Sequence, residues 1–134
     1  MILLDTHVVV WLTTSNYRLG KAALAMLAEE RDRMASAMVS WEIAMQIDKG
    51  RFTIDVPLAE WLRIAFDTIG MEEAPVTGEI GRIAGCLPAG IHGDPCDRIM
   101  IATAQVLDCP LVTADEKILA YAAEGHLQAI DARR

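Results

Sequence analysis

The chain opens Met-Ile-Leu-Leu-Asp and continues Thr6-His7-Val8-Val9-Val10-Trp11. A continuously apolar segment has no polar face to turn to water, so as a strand it must be covered on both sides. Residues 1–5 read as a short buried strand ending in a carboxylate. Thr6 to Leu12 then reads as an apolar helix, with Asp5 or Thr6 in capping position. A buried strand running straight into a helix is the opening of a parallel α/β unit.

The same unit recurs along the chain. After a turn at Thr14-Ser15-Asn16, the spacing predicts an amphipathic helix from Leu19 to Glu30 with Leu24, Leu27 and Ala28 inward. Arg33 to Val39 reads as a second strand. Ser40 then caps a helix from Trp41 to Lys49, ended by Gly50, with Lys49 suited to the helix dipole. Glu42 falls in the first turn of that helix, where an acid compensates the dipole. Phe52 to Val56 reads as a short extended piece, and Pro57 opens a helix to about Thr68 with Leu58, Trp61, Leu62, Ala65 and Ile69 on one face. A third strand covers Met71 to Val76, and Thr77 caps a helix from Glu79 to Cys86. Gly78, Gly81 and Gly85 do not have the G-x-G-x-x-G spacing of a dinucleotide site; close helix packing or a subunit contact accounts for them better. A helix from Pro95 to Leu107, a fourth strand from Cys109 to Thr113, a helix capped by Asp115 and stopped by Gly125, and a fifth strand from Leu127 to Ile130 complete the pattern. Strand-then-helix repetition predicts a single α/β domain over residues 1–134, three layers α/β/α with a central parallel sheet. Its 134 residues suffice for a hydrophobic core without staples.

The chain carries Cys86, Cys96 and Cys109 with no C-x-x-C spacing, which fits reduced thiols in the cytoplasm. His92 and Cys96 are too few to close a zinc shell. Apolar runs stop short of the about 18 residues of a membrane span, and no basic segment or cleavage site precedes Asp5. Twelve basic against 19 acidic residues give a net charge of −7. That argues against binding nucleic acid through a broad basic surface, but not against binding through metal ions held by acids.

The acids are placed with purpose. Asp94-Pro95-Cys96-Asp97 opens a strongly apolar helix, with Asp94 at the N-cap, Pro95 at the first helical position and Asp97 at the third. Capping explains this pair locally, as it explains Asp5, Glu42 and Asp115 one by one. In a parallel sheet, however, ligands bind beyond the carboxyl ends of the strands, where strand order reverses. Asp5 follows strand one, Glu42 strand two and Asp115 strand four, and Asp94 and Asp97 open the helix that feeds strand four. Carboxylates gathered there repel one another unless a cation is present. Hard oxygen ligands suit Mg²⁺ or Mn²⁺, which bind phosphate oxygens and activate water. Metal-assisted phosphoester hydrolysis is the chemistry this pattern favours.

Four blocks of the chain resemble the PIN domain: Leu3-Leu4-Asp5-Thr6-His7-Val8-Val9-Val10-Trp11, Ser40-Trp41-Glu42-Ile43, Asp94-Pro95-Cys96-Asp97-Arg98-Ile99-Met100-Ile101-Ala102 and Leu111-Val112-Thr113-Ala114-Asp115. More narrowly, they are similar to VapC-type toxin ribonucleases of toxin–antitoxin pairs. The resemblance runs over nearly the whole chain and implies a parallel sheet of about five strands in the order 3-2-1-4-5. It implies an Mg²⁺- or Mn²⁺-dependent endoribonuclease with an acidic quartet of Asp5, Glu42, Asp97 and Asp115. Asp5 and Asp97 would be the main metal ligands. Glu42 would bind metal or position the attacking water, and Asp115 would complete the shell directly or through water. Asp94, Thr6 and Thr113 match supporting positions, and Cys96 stands where such proteins often carry a larger or aromatic residue. Asp131 and Glu73 fall in the outer strands of that order and read as solvated surface acids.

The resemblance further implies an RNA substrate, a homodimer and a small antitoxin whose extension covers the acidic groove; a cationic tail would suit the net charge of −7. Arg98, Lys117, Lys49 and Arg18 are the available contacts to an RNA backbone. Trp11, Trp41 and Trp61 either line the antitoxin groove or, for at least two of them, belong to the core. Other small Mg²⁺-binding α/β domains fit less well. A receiver-like domain wants paired acids after strand one and a lysine after the last strand, where this chain has a single Asp5 and Asp131-Ala132-Arg133-Arg134. A dehalogenase-like phosphatase wants Asp-x-Asp, where this chain has Asp5-Thr6-His7. A PIN fold serving only as a binding module would be expected to lack an acid of the quartet, and none is missing.

Overall fold

The computed structural model describes residues 1–16, 18–91 and 93–134. The pairing of Cys96 with His92 therefore lies outside the described residues. Strands Ile2–Leu4 (β1), Arg33–Ser36 (β2), Met71–Ala74 (β3), Leu111–Thr113 (β4) and Ala129–Asp131 (β5) form one sheet in the order β3-β2-β1-β4-β5. Every adjacent pair is parallel, with Leu3 opposite Met34 on one side and Leu111 on the other. The chain runs outward from β1 through β2 to β3, then crosses to β4 and continues to β5. The carboxyl ends of β1 and β4 are therefore the point at which strand order reverses.

Among the described residues the helices are Thr6–Thr13 (α1), Lys21–Glu29 (α2), Ala37–Asp48 (α3), Leu58–Ile69 (α4), Gly78–Gly85 (α5), Pro95–Leu107 (α6) and Glu116–Ala123 (α7). Every residue of β1 and β4 is buried, as a sheet covered on both faces requires. Leu3, Leu4, Val8, Val9, Met100, Ile101, Leu111 and Val112 have no exposed surface. Burying such side chains stabilises the fold by about 1.5–3 kcal/mol each. Helix α6 buries five consecutive residues, 100–104.

Element order agrees with the sequence expectation, and several details differ. Strand β2 stops at Ser36, the last residue paired with β3 (opposite Ala74), and Ser36 caps α3 by accepting from Met38 N at 3.1 Å. Ser40 is thus inside α3 and caps nothing, because the helix begins where the strand partner ends. Glu42 moves from the first turn to the second, beyond the reach of simple dipole compensation. In α2 the buried positions are Ala23 and Leu27, spaced i, i+4, whereas Leu24 is 44% exposed and Ala28 faces solvent. Residues 52–56 form no strand, and Pro57 is the cap of α4 rather than its first residue.

A Cβ built on Gly78, Gly81 or Gly85 meets nothing within 4 Å, so these glycines do not serve close packing within the chain. Helix α5 packs on α6 through Ile80 and Ala84 against Ala102. Glu73 is exposed, as expected of an outer-strand acid. Asp131 is not simply solvated: it accepts from Arg133 N at 2.9 Å and from Arg133 Nε at 3.0 Å, which hold its carboxyl below the usual range. Trp11 is buried, Trp61 is half-buried edge-on to Phe52, and Trp41 is 53% exposed.

Candidate active site

Asp5 leaves β1 as the N-cap of α1, and it is almost completely buried. Its Oδ1 accepts from Thr6 N at 2.7 Å and its Oδ2 from Thr113 Oγ1 at 2.6 Å. Thr113 is the last residue of the neighbouring strand β4 and is fully buried. The same Thr113 oxygen accepts from Asp115 N at 3.0 Å, while Asp115 Oδ1 caps α7 by accepting from Ile118 N at 3.0 Å. One hydroxyl thereby ties the ends of the two central strands to the turn that carries Asp115.

On the other side of Asp5, the Thr6 hydroxyl donates to Glu42 Oε1 at 2.6 Å. This bond aims the α3 acid at the end of β1. Asp94 Oδ1 accepts from Cys96 N at 2.9 Å and from Asp97 N at 3.2 Å. The expected cap is therefore formed, with Pro95 at the first helical position. It fixes the first turn of α6, from which Asp97 projects.

Electrostatics joins these acids into one site. Burial raises the Asp97 carboxyl, and the charges of Asp94, Asp115, Asp5 and Glu42 push it further, to about 7. Asp5 is also raised, chiefly by burial, against the lowering effect of its bonds from Thr113 and Thr6. Glu42 is raised by burial and by Asp5 and Asp94, and lowered by Thr6. The buried Cys96 thiol is pushed up to about 12 by burial and by the same carboxylates, which leaves it protonated and inert as a soft-metal ligand.

All seven sequence-selected residues thus meet around the ends of β1 and β4, either by hydrogen bonds or by charge coupling. Among the described residues, no group of three or more His, Cys, Asp or Glu side chains is placed so that it could hold a metal ion. The donors are hard oxygens in mutual repulsion, the set that suits a cation keeping part of its own water shell.

Of the cationic residues considered for RNA, Arg98 is committed elsewhere. Its Nε donates to Ala84 O at 2.8 Å and its guanidinium to Ile91 O at 3.1 Å, joining α5 and the following loop to α6. Lys117, Lys49 and Arg18 are exposed. The sequence reading did not find the cavity of about 230 Å³ that opens beside Glu42, lined by Thr6, His7, Trp11, Gln46, Arg51 and Phe52 among others. Its residues come from α1, α3 and the segments after them, and no motif spacing links them.

Residues 2–124 match the PIN domain family model. Ribonuclease VapC22 of Mycobacterium tuberculosis is 31% identical over 121 residues, which cover 90% of this chain and 91% of that protein. Among solved structures, the crystal structure of VapBC2 from Rickettsia felis bound to a DNA fragment from their promoter aligns with a TM-score of 0.64 at 19% identity. It covers 98% of each chain. FitAcB from Neisseria gonorrhoeae aligns with a TM-score of 0.66 at 17% identity, again over 98% of each chain. A toxin–antitoxin complex from Klebsiella pneumoniae aligns with a TM-score of 0.63 at 20% identity, over 90% of this chain and 91% of that one.

Proposed function

The chain belongs to the PIN domain family, and from that premise we propose that it is a metal-dependent endoribonuclease acting as the toxin of a toxin–antitoxin pair. The observation that carries this reading is the hydrogen-bonded chain from Glu42 through Thr6, Asp5 and Thr113 to Asp115 at the ends of β1 and β4, with Asp97, held by the Asp94 cap, near enough to feel those charges. A protein that used these acids only as caps would have no reason to crowd five of them at one switch point. Desolvating like charges together is unfavourable unless a cation compensates.

In this reading Asp5 and Asp97 are the main ligands for Mg²⁺ or Mn²⁺, and Asp115 completes the set directly or through water. A divalent cation there would supply Lewis-acid polarisation of the phosphodiester and a more acidic water. The chain's own residues do the positioning. Thr113 holds Asp5 Oδ2, so that carboxylate has one fixed orientation. Thr6 occupies Glu42 Oε1, which leaves Oε2 to accept a hydrogen bond from the attacking water and orient it toward phosphorus. Asp94 holds the first turn of α6 and with it Asp97.

The reaction belongs in the cytoplasm, where Cys86, Cys96 and Cys109 stay reduced. Among the described residues, no helix is long and apolar enough to cross a membrane. An antitoxin partner, in keeping with the toxin–antitoxin complexes among the structural neighbours, completes the proposal together with a homodimer. The test is cleavage of RNA by the purified protein, freed of any partner, with Mg²⁺ or Mn²⁺ and with chelator. Metal-dependent cutting that disappears in Asp97→Asn is expected. No metal binding, together with undiminished toxicity of Asp97→Asn in cells, would overturn the reading.

A further inference from the structure

Beside the carboxylates lies a cavity of about 230 Å³ whose lining has a different character. Trp11 and Phe52 supply aromatic surface; Trp11 is 8% exposed, and Phe52 is braced edge-on by Trp61 with ring centroids 5.5 Å apart at 81°. Arg18 and Arg51 line the same space and are both exposed. Among the described residues, neither guanidinium enters an ion pair, although the chain carries a net charge of −7. Gln46 adds an amide able to donate and accept. Thr6 and Glu42 belong both to this lining and to the carboxylate network, through their 2.6 Å hydrogen bond.

Unpaired arginines suit phosphate, braced aromatic rings suit an unstacked base, and an amide suits a base edge. The volume is below the ~300–1,000 Å³ that encloses a drug-sized ligand, which fits one base rather than a larger group. We propose that this cavity is the subsite for the nucleotide next to the scissile phosphate in single-stranded RNA. Its base stacks on Phe52, and its phosphates meet Arg18 and Arg51. This rests on the nuclease reading and adds to it the residues that grip the substrate and the side of the carboxylates on which they lie. A cationic protein tail would face two like charges here, so the arginines favour RNA over such a partner.

The test is the affinity of a fluorescently labelled single-stranded RNA decamer of mixed sequence, followed by anisotropy at several salt concentrations with Mg²⁺ present. The background carries Asp97→Asn, so that the RNA stays uncut. Arg18→Ala with Arg51→Ala should weaken binding at least ten-fold and flatten the salt dependence by about 0.7 for each phosphate no longer neutralised. Phe52→Leu should weaken binding about ten-fold with the salt dependence unchanged. With Asp97 intact, the arginine variants should raise KM and leave kcat in place. Unchanged affinity and salt dependence in all these variants would overturn the proposal and leave the cavity to a protein partner. Failure of the parent protein to cut RNA, with binding still dependent on Arg51, would instead overturn the nuclease reading and keep the cavity as a binding site for single-stranded RNA.

Discussion

The hydroxyl of Thr113 donates a 2.6 Å hydrogen bond to Oδ2 of Asp5, joining residues 108 positions apart. Asp5 would otherwise be a buried carboxylate with one oxygen unmatched. The bond is available because β1 and β4 are neighbours and both end at the site. It makes the sheet itself the clamp on an acid, and it couples that acid to the Asp115 turn through the same oxygen.

Thr113→Val keeps the shape and removes both interactions. Leaving a buried charged acceptor without its donor should cost about 1–3 kcal/mol. Supporting bonds of this kind also set metal affinity, so Mn²⁺ binding should weaken about 10–100-fold. Thr113→Ser should recover most of both. Thermal melts and calorimetric Mn²⁺ titration check this, and a valine variant with unchanged melting and Mn²⁺ affinity would show that the clamp holds nothing.

Asp97→Asn and Asp5→Asn should abolish RNA cleavage with the fold retained, and they should differ in stability. Asp97 is crowded by four other acids, so neutralising it relieves repulsion and should hold or raise the melting temperature near neutral pH. Asp5 accepts two short bonds that an amide satisfies only in part, so Asp5→Asn should melt lower. Circular dichroism melts of the two variants beside the parent decide the point.

Ser36 and Ser40 give a direct test of where α3 begins. Ser36→Ala removes a buried cap and should cost about 1 kcal/mol. Ser40→Ala, inside the helix, should stay within about 0.5 kcal/mol of the parent. Equal costs in denaturant titrations would put the helix start back at the later serine.

Those two serines also show what the sequence could and could not reveal. Each is a good cap followed by an apolar residue, and the choice is made by the length of β3 opposite β2, which no local window contains. The phase of α2 was ambiguous for a related reason: Ala23 with Leu27 and Leu24 with Ala28 share the i, i+4 spacing, and only packing selects the first pair. The α6 start was legible because Asp-Pro at a cap is a purely local signal. The meeting of Asp5, Asp97 and Asp115 was legible through topology, since strand-helix alternation sends successive strand ends to one edge. The role of Arg98 was not legible, because its partners are backbone carbonyls and carry no side-chain signature. The cavity beside Glu42 was hidden in the same way, assembled from residues with no common spacing.

The raised carboxyl of Asp97 makes stability depend on pH in a stated direction. Its ordinary value is 3.8 and its folded value is about 7, so between these limits the folded protein holds a proton that the unfolded chain has lost. Stability therefore falls as pH rises through that window, and Asp5 and Glu42, both raised, act with the same sign. Asp131, held low by Arg133, acts oppositely, but only in more acidic solution, where its stabilisation is lost as pH falls. The metal-free protein should melt at a higher temperature near about pH 5 than near about pH 8. Asp97→Asn should flatten that difference. Mg²⁺ or Mn²⁺ should raise the melting temperature more at the alkaline end, where no proton competes for the carboxylates. Melting curves across this range, with chelator and with each metal, measure all three effects. A metal-free melting temperature that rises toward pH 8, with no change in slope in Asp97→Asn, would show that these acids are not crowded as the structure places them.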